Sequence, residues 1–353
     1  MKILITGGAG FVGSNLALKL KSNYPSYQIF LLDNLKRRGS ELNLPAFRKN
    51  SIIFFHGDVR NKEDFNQVPE IDIIIDASAE PSILAGLNES PEYLINSNLM
   101  GTFNCLNFAI KNKSSIIFLS TSRVYPVREL CSVNYTEGST RFELTDKQNI
   151  TGISALGVSE KFPLSGYRSL YGMTKFASEL ALEEFNEFYG INYVVNRCGI
   201  IAGPGQMGKV DQGIAVYWAA AHYWAQPLKY IGFNGKGFQV RDMLHIQDLY
   251  DLIDHQMHNF PGYSGNVFNV GGGVQSSASL CELTEICRNI TGKATSIQNT
   301  LESRKADIPV YISDNSKITN LSGWKPKKNI NDIIEDIFQW IDQNEQILKD
   351  ILV

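Results

Sequence analysis

Apolar positions along this chain fall into two alternating patterns. Short, nearly unbroken apolar runs at 2–6, 28–32, 52–56, 72–76, 115–119 and 191–197 have the length and β-branched content of strands buried on both faces. Between them, apolar residues return at helical spacing. In 90–111, Leu94, Ile95, Leu99, Phe103, Leu106 and Ile110 share one side, and Pro91 suits the first turn. A second long helix is predicted from Tyr171 to about Tyr189. Strands separated by helices imply an α/β fold with a doubly wound parallel sheet.

The pattern fails twice. Residues 126–168 are polar, glycine-bearing and aperiodic, which predicts a long loop, functional or mobile. After Arg197 glycines accumulate, followed by an aromatic-rich helix at 210–224, a helix from about 246 and a strand at 267–270. A helix around 279–290, a strand around 310–313 and a last helix from 329 complete the chain. The expected organisation is a nucleotide-binding domain over 1–198 with a return segment at about 241–271. A smaller α/β lobe over 199–240 and 272–353 is expected to close over the sheet's carboxyl edge.

The first strand runs straight into Gly7, Gly10 and Gly13, with Phe11 and Val12 between the last two, and a helix follows. At this spacing the first glycine turns the chain off the strand. The second lets a pyrophosphate approach the backbone, and the third lets helix and strand pack closely. The helix start offers N–H groups and positive dipole to phosphates. The second strand ends in Asp33, twenty residues on, where a carboxylate would bind an adenosine ribose and favour NAD over its 2′-phosphorylated form. Lys36, Arg37 and Arg38 follow; they could tolerate that phosphate or form a solvated loop. Asp58-Val59 could hold an adenine edge or make a simple turn. Ala77-Ser78-Ala79, after the fourth strand, leave room for a ligand.

Composition narrows the classes. The 353 residues carry a net charge of −3 with charges scattered, so no nucleic-acid or membrane footprint is present. No apolar run reaches the ~20 residues needed to span a bilayer. The chain begins directly on a strand, which predicts a cytoplasmic address. Cys105, Cys131, Cys198, Cys281 and Cys287 show no Cys-x-x-Cys and read as free thiols. The histidines at 56, 222, 245, 255 and 258 read as structural, and no metal site is expected.

Tyr171 and Lys175 stand four residues apart at a helix start and so share a face. An ordinary tyrosine, with pKa about 10, is a poor base at neutral pH; an ammonium one turn away stabilises its phenolate. The pair then suits proton removal from an alcohol while hydride leaves the same carbon. Ser120-Thr121-Ser122, ending the fifth strand, places hydroxyls at the same carboxyl edge.

Taken together, the glycine motif, Asp33, Asp58-Val59, Asn98 in Asn-Leu-Met-Gly-Thr, Thr121, Tyr171/Lys175 and Arg241-Asp242…His245…Asp248 form a recognisable set. It resembles the extended short-chain dehydrogenase/reductase superfamily over nearly the whole chain. Most members modify nucleotide-activated sugars, as for polysaccharide biosynthesis. Within that group the chain looks most like the CDP-paratose (CDP-tyvelose) 2-epimerases, through the segments at 34–44, 206–213 and 230–245. The resemblance implies a Rossmann fold with NAD held by the glycine motif, Asp33, Asn34, Asp58, Val59, Ala77, Ala79, Asn98, Ser120, Tyr171 and Lys175. It implies Tyr171 as acid/base, Lys175 on the nicotinamide ribose and Thr121 on the reacting sugar oxygen. Ser122, Gln206, Arg241 and Arg304 would meet the nucleotide sugar, the arginines facing its diphosphate.

The same likeness implies a homodimer through the helices at 91–110 and 171–189. Two departures are visible. Val124-Tyr125-Pro126 stands where relatives have Val-Tyr-Gly, and Ile200 stands where many have asparagine. A 4,6-dehydratase needs an Asp-Glu pair after the threonine, where this chain has Ser122-Arg123. A UDP-sugar 4-epimerase needs the same Thr/Tyr/Lys set and stays open, as does a non-catalytic nucleotide sensor.

Overall fold

In the computed structural model, which describes every residue except 88, 210–211 and 303–304, the apolar runs form one seven-stranded parallel sheet. Its strands are β1 (Lys2–Thr6), β2 (Gln28–Asp33), β3 (Ile53–His56), β4 (Ile73–Asp76), β5 (Ser115–Thr121), β6 (Tyr193–Cys198) and β7 (Asn266–Val270). They lie in the order β7-β6-β5-β4-β1-β2-β3. Ile3 of β1 stands opposite Ile29 on one side and Ile73 on the other, so the central strand is apolar on both flanks. Strand order reverses between β1 and β4, and an open sheet binds its ligand at the carboxyl ends around such a point.

The chain forms two compact units, each made of three segments: Met1–Val124, Leu170–Arg197 and Tyr250–Val267, then Tyr125–Ser169, Cys198–Leu249 and Phe268–Val353. In the first, α1 (Phe11–Asn23), α2 (Gly101–Asn112) and α3 (Leu170–Tyr189) accompany the sheet. Leu4, Ile74, Ile116 and Val195 pack with Leu106, Ala109 and Leu182 in one buried core. Each fully buried Leu or Ile there contributes about 1.5–3 kcal/mol. The predicted helix over 90–111 exists, but its middle, Asn96–Met100, widens into a π turn.

The second unit is built on helices α4 (Ile214–Tyr223), α5 (Leu280–Thr291) and α6 (Ile330–Gln343). Ile330, Ile333, Ile334, Ile337, Phe338 and Ile341 give α6 one continuous buried stripe against Trp218 of α4 and Leu283 of α5. Both later helices begin with reciprocal caps, Ser279 with Glu282 and Asn329 with Asp332.

Residues 126–168 are not the aperiodic loop that their composition predicts. They hold a short helix, Val127–Cys131, and two small hairpins, Tyr135–Glu137 with Phe142–Leu144 and Ile153–Ser154 with Gly157–Val158. Phe142 supplies the reason: its N–H donates to Phe238 and its ring packs among Val240, Val310 and Ile312. The stretch at 240–245 is likewise a strand, Val240–His245, paired with Ile200–Ala202, Ser277–Ser279 and Val310–Tyr311. Tyr125–Ser169 as a whole belongs to the second compact unit.

Candidate active site

The glycine turn sits at the carboxyl end of β1. Gly7 has φ +62°, and a Cβ on it would lie 2.8 Å from the Ala77 carbonyl oxygen and 2.9 Å from Ser78 Cα, so the turn is seated against the end of β4. At Gly13 an added Cβ would meet the Gly7 carbonyl oxygen at 2.3 Å, which enforces close packing of α1 on the strand. Gly10 differs: a Cβ there would meet only the Gly7 oxygen, at 3.2 Å. The first helical hydrogen bond of α1 is from Ser14 N–H to the Gly10 carbonyl, and no side chain caps the helix. The amides of Phe11, Val12 and Gly13 therefore precede the helical ladder, as an anion-binding helix start requires.

Asp33 closes this end of the site. Its carboxylate accepts from the N–H of Ala9 (3.0 Å) and of Leu35 (2.8 Å). Burial pushes its pKa up against those backbone donors. Asn34 donates to Asp58 at 2.9 Å, and Arg60 grips the same carboxylate through Nε (3.0 Å) and Nη2 (2.7 Å). Burial alone would raise Asp58, but the Arg60 and Asn34 hydrogen bonds outweigh it and bring the carboxyl to about 2. Lys36 Nζ and Arg60 lie over the Tyr93 ring, 2.8 and 4.7 Å from its centre. Val59 is buried and its carbonyl accepts from Asn104. This group of residues fits a bound dinucleotide: free helix-start amides, a glycine with space above it, and a buried acid at the end of β2.

Asn98 lies in the π turn. Its amide bridges the Glu80 backbone, accepting from N–H at 2.7 Å and donating to the carbonyl at 3.1 Å, and it reaches Thr174 Oγ1 at 3.2 Å. Asn98 thus ties the segment after Ala77 and Ala79 to the first turn of α3. Beneath it, Asp76 is fully buried and accepts from Thr6 (2.7 Å), Ser78 (2.8 Å) and Thr102 (2.9 Å).

Tyr171 and Lys175 occupy the first turns of α3, which packs along β5 and the Ser122–Val124 turn. Tyr171 is half-buried; Lys175 is buried, its ammonium 4.1 Å from the centre of the Phe118 ring. Thr121 is buried at the carboxyl end of β5, and its Oγ1 accepts from Arg123 N–H at 3.2 Å. Ser120 donates its hydroxyl to the Glu179 carboxylate. Glu179 is held in turn by Arg197, whose Nε lies 3.1 Å from both oxygens and whose Nη2 lies 2.6 Å from Oε2. Sequence reasoning passed over Glu179 and Arg197. The available signals were a glutamate one turn beyond Lys175 on the same face and an arginine ending an apolar strand.

Gln206 and Arg241 lie in the second unit. Gln206 Nε2 donates to the Ile201 carbonyl (2.9 Å), and its buried Oε1 has no hydrogen-bond partner among the described residues. Arg241 donates to Asp307 (2.9 Å) and to the carbonyls of Ile308 (2.7 Å) and Val240 (2.8 Å). Arg304 lies outside the described residues. His245 is a packed side chain: Nδ1 accepts from Gln247 N–H at 3.0 Å, Nε2 lies 3.2 Å from Asp336, and burial lowers its pKa. Among the described residues no helix is long and apolar enough to cross a membrane, and no cluster of three or more metal-binding side chains occurs.

A family model described as NAD dependent epimerase/dehydratase matches residues 3–271. The chain is 31% identical over 348 residues to a CDP-paratose 2-epimerase of Salmonella typhi, covering 96% of this chain and 99% of that one. It is 26% identical over 361 residues to a UDP-glucose 4-epimerase of Halalkalibacterium halodurans, covering 96% and 95%. Among solved structures, a UDP-glucuronic acid 4-epimerase from Bacillus cereus, in complex with UDP-glucuronic acid and NAD, superposes with a TM-score of 0.79. It is 23% identical, and the match covers 98% of this chain and 100% of that one, a likeness of fold.

Proposed function

Because this chain belongs to the NAD dependent epimerase/dehydratase family, enzymes of nucleotide sugars that work with NAD, we propose that it is a redox-neutral epimerase acting at carbon 2 of a CDP-bound dideoxyhexose. NAD held at the 7–13 glycine turn and Asp33 would supply the hydride acceptor and donor that a redox-neutral epimerisation needs. Tyr171, as phenolate, accepts the proton of the sugar hydroxyl and gives it back in the second half-reaction, so atoms and electrons balance with no external reductant. The Lys175 ammonium, one turn along α3, keeps the phenol acidic. The Thr121 hydroxyl orients the reacting oxygen. Phe11, Val12 and Gly13 offer their amides to the pyrophosphate, and Asp33 takes the adenosine ribose. Asn34, Asp58 and Val59 flank the adenine, while Gln206 and Arg241 bind the nucleotide sugar.

The observation that supports this reading is that Tyr171 and Lys175 stand one turn apart on α3, with Lys175 buried against Phe118 of β5. The CDP-sugar assignment is supported by near full-length similarity to a 2-epimerase. NAD-loaded protein is expected to interconvert CDP-paratose and CDP-tyvelose without added cofactor, followed by NMR; no conversion would remove the substrate assignment. Similarity to UDP-glucose 4-epimerases favours a second reading, epimerisation at carbon 4 of a UDP-sugar. Protection against thermal unfolding by CDP- but not UDP-sugars would decide for the first.

Met100, Met173, Leu180, Phe188 and Tyr189, on the π turn and α3, are all more than a third exposed. Two copies pairing through this apolar surface would explain it. Light scattering coupled to size exclusion is expected to return twice the 39.5 kDa chain mass; a monomer at micromolar concentration would rule the pairing out.

A further inference from the structure

The Glu179 carboxylate accepts from Ser120, the residue before Thr121, and from Arg197, and the proposed reaction gives it no chemistry of its own. Its side chain and that of Arg197 are 4% and 5% exposed. Both carboxylate oxygens are filled: Oε1 by Ser120 and Arg197 Nε, Oε2 by Arg197 Nε and Nη2. Three elements meet at this one carboxylate, namely the end of β5 through Ser120, the end of β6 through Arg197, and α3 through Glu179 itself. A buried ion pair is weak evidence for stability, because two desolvated charges offset most of their mutual attraction. Fixing geometry is the better-attested use of such a pair.

The geometry here falls in register with the chemistry. Glu179 follows Lys175 by one helical turn and Tyr171 by two, so all three share one face of α3. Ser120 directly precedes Thr121. Phe118 and Ser120, alternate residues on one face of β5, meet Lys175 and Glu179 respectively. We propose that Glu179, locked by Arg197, is a positioning residue: it clamps α3 to the carboxyl ends of β5 and β6 and so sets the separation of Tyr171 and Lys175 from Thr121. The inference rests on the proposed roles of those three residues and extends them to a pair that neither composition nor motif singles out.

The test uses the double variant Glu179→Met/Arg197→Met. It removes the clamp while conserving volume and net charge, so any change at Tyr171 reports geometry rather than a lost charge. With the NAD-loaded protein, kcat is expected to fall about 10- to 100-fold while KM for the nucleotide sugar stays within about twofold, the signature of a misplaced reacting group. Tyr171 ionisation, read by ultraviolet difference titration against Tyr171→Phe, is expected to move up toward the ordinary value near 10. Amide exchange over 170–178 is expected to quicken. Should the double variant not fold, Ser120→Ala severs one arm alone and is expected to move the same three readouts the same way, by less. Folded variants with unchanged kcat, titration and exchange overturn the clamp. Wild-type Tyr171 ionising near 10 would instead overturn the proposed base, a result distinct from any that the variants give.

Discussion

Lys175 and Phe118 form a buried cation–π pair, the ammonium 4.1 Å from the ring centre with the lysine side chain almost wholly out of solvent. An ammonium in such a place is held by design of the packing, since the ring face replaces part of its lost hydration, an effect of about 1–2 kcal/mol. Lys175→Met keeps the volume and removes the charge. It is expected to lower kcat at neutral pH by about 10²-fold or more, with activity partly recovered at high pH as the unassisted phenol ionises. A flat pH response would mean that the ammonium does not act through Tyr171.

Tyr171→Phe removes one oxygen from a half-buried ring. Turnover is expected to fall by about 10²- to 10⁴-fold, while the affinity for nucleotide sugar, measured calorimetrically, changes little. Activity within tenfold of the parent would exclude this residue as acid/base.

Two glycines of the opening turn separate folding from cofactor binding. Gly13→Ala drives a methyl to 2.3 Å from the Gly7 carbonyl and 2.7 Å from Gly8 Cα, and is expected to lower Tm by several degrees or abolish soluble expression. Gly10 has φ −70°, which alanine adopts freely, and its Cβ would have a single neighbour at 3.2 Å. Gly10→Ala is therefore expected to fold with near-parental circular dichroism yet be purified with much less NAD. Equal cofactor content in the two proteins would contradict the assignment of that space to a pyrophosphate.

Asp58 makes a pH-dependent contribution of known sign. Its folded pKa, about 2, lies below the ordinary 3.8, so it stabilises the fold fully above about pH 4 and loses that contribution as pH falls toward 2. The effect amounts to about 1–2 kcal/mol once the partial exposure of Arg60 is discounted. Denaturant titrations of Asp58→Asn and its parent are expected to differ at pH 7 and to converge only below about pH 2. A difference that stays at its pH 7 size below about pH 2 would place the effect elsewhere.

Arg241 spreads its guanidinium over Asp307 and neighbouring backbone carbonyls, a fork that lysine cannot reproduce. Arg241→Lys is expected to raise KM for the nucleotide sugar about tenfold with kcat within about threefold. The reverse split would move this residue from binding to chemistry.

Much of the first unit was legible before any coordinates. The strand runs at 2–6 and 28–33 and the glycine spacing follow from rules of period and backbone freedom that act locally. The place of Asp33 at the end of β2 and the shared helix of Tyr171 and Lys175 were readable for the same reason. What escaped notice depends on distant partners. The hairpins inside 126–168 have strands of two or three residues, too short to carry a period, and Phe142 owes its burial to Phe238, Val240 and Val310. Nothing in the local pattern pairs Glu179 with Arg197 until the strand order sets β6 beside β5. Gly203, Gly205 and Gly208 mark turns, but nothing local tells that the chain beyond them returns to pair residues 200–202 with 243–245.

The route of the chain has a consequence for how such a protein can be altered. Thr121 and Tyr171 belong to the same compact unit, yet the chain between them spends Tyr125–Ser169 in the other one. No single cut yields either half intact, and exchanging the second unit for that of a relative would mean splicing three separate stretches at once. Changes of substrate in this lineage are therefore expected to arise by substitution within a retained frame rather than by recombination of modules, and laboratory redesign faces the same choice.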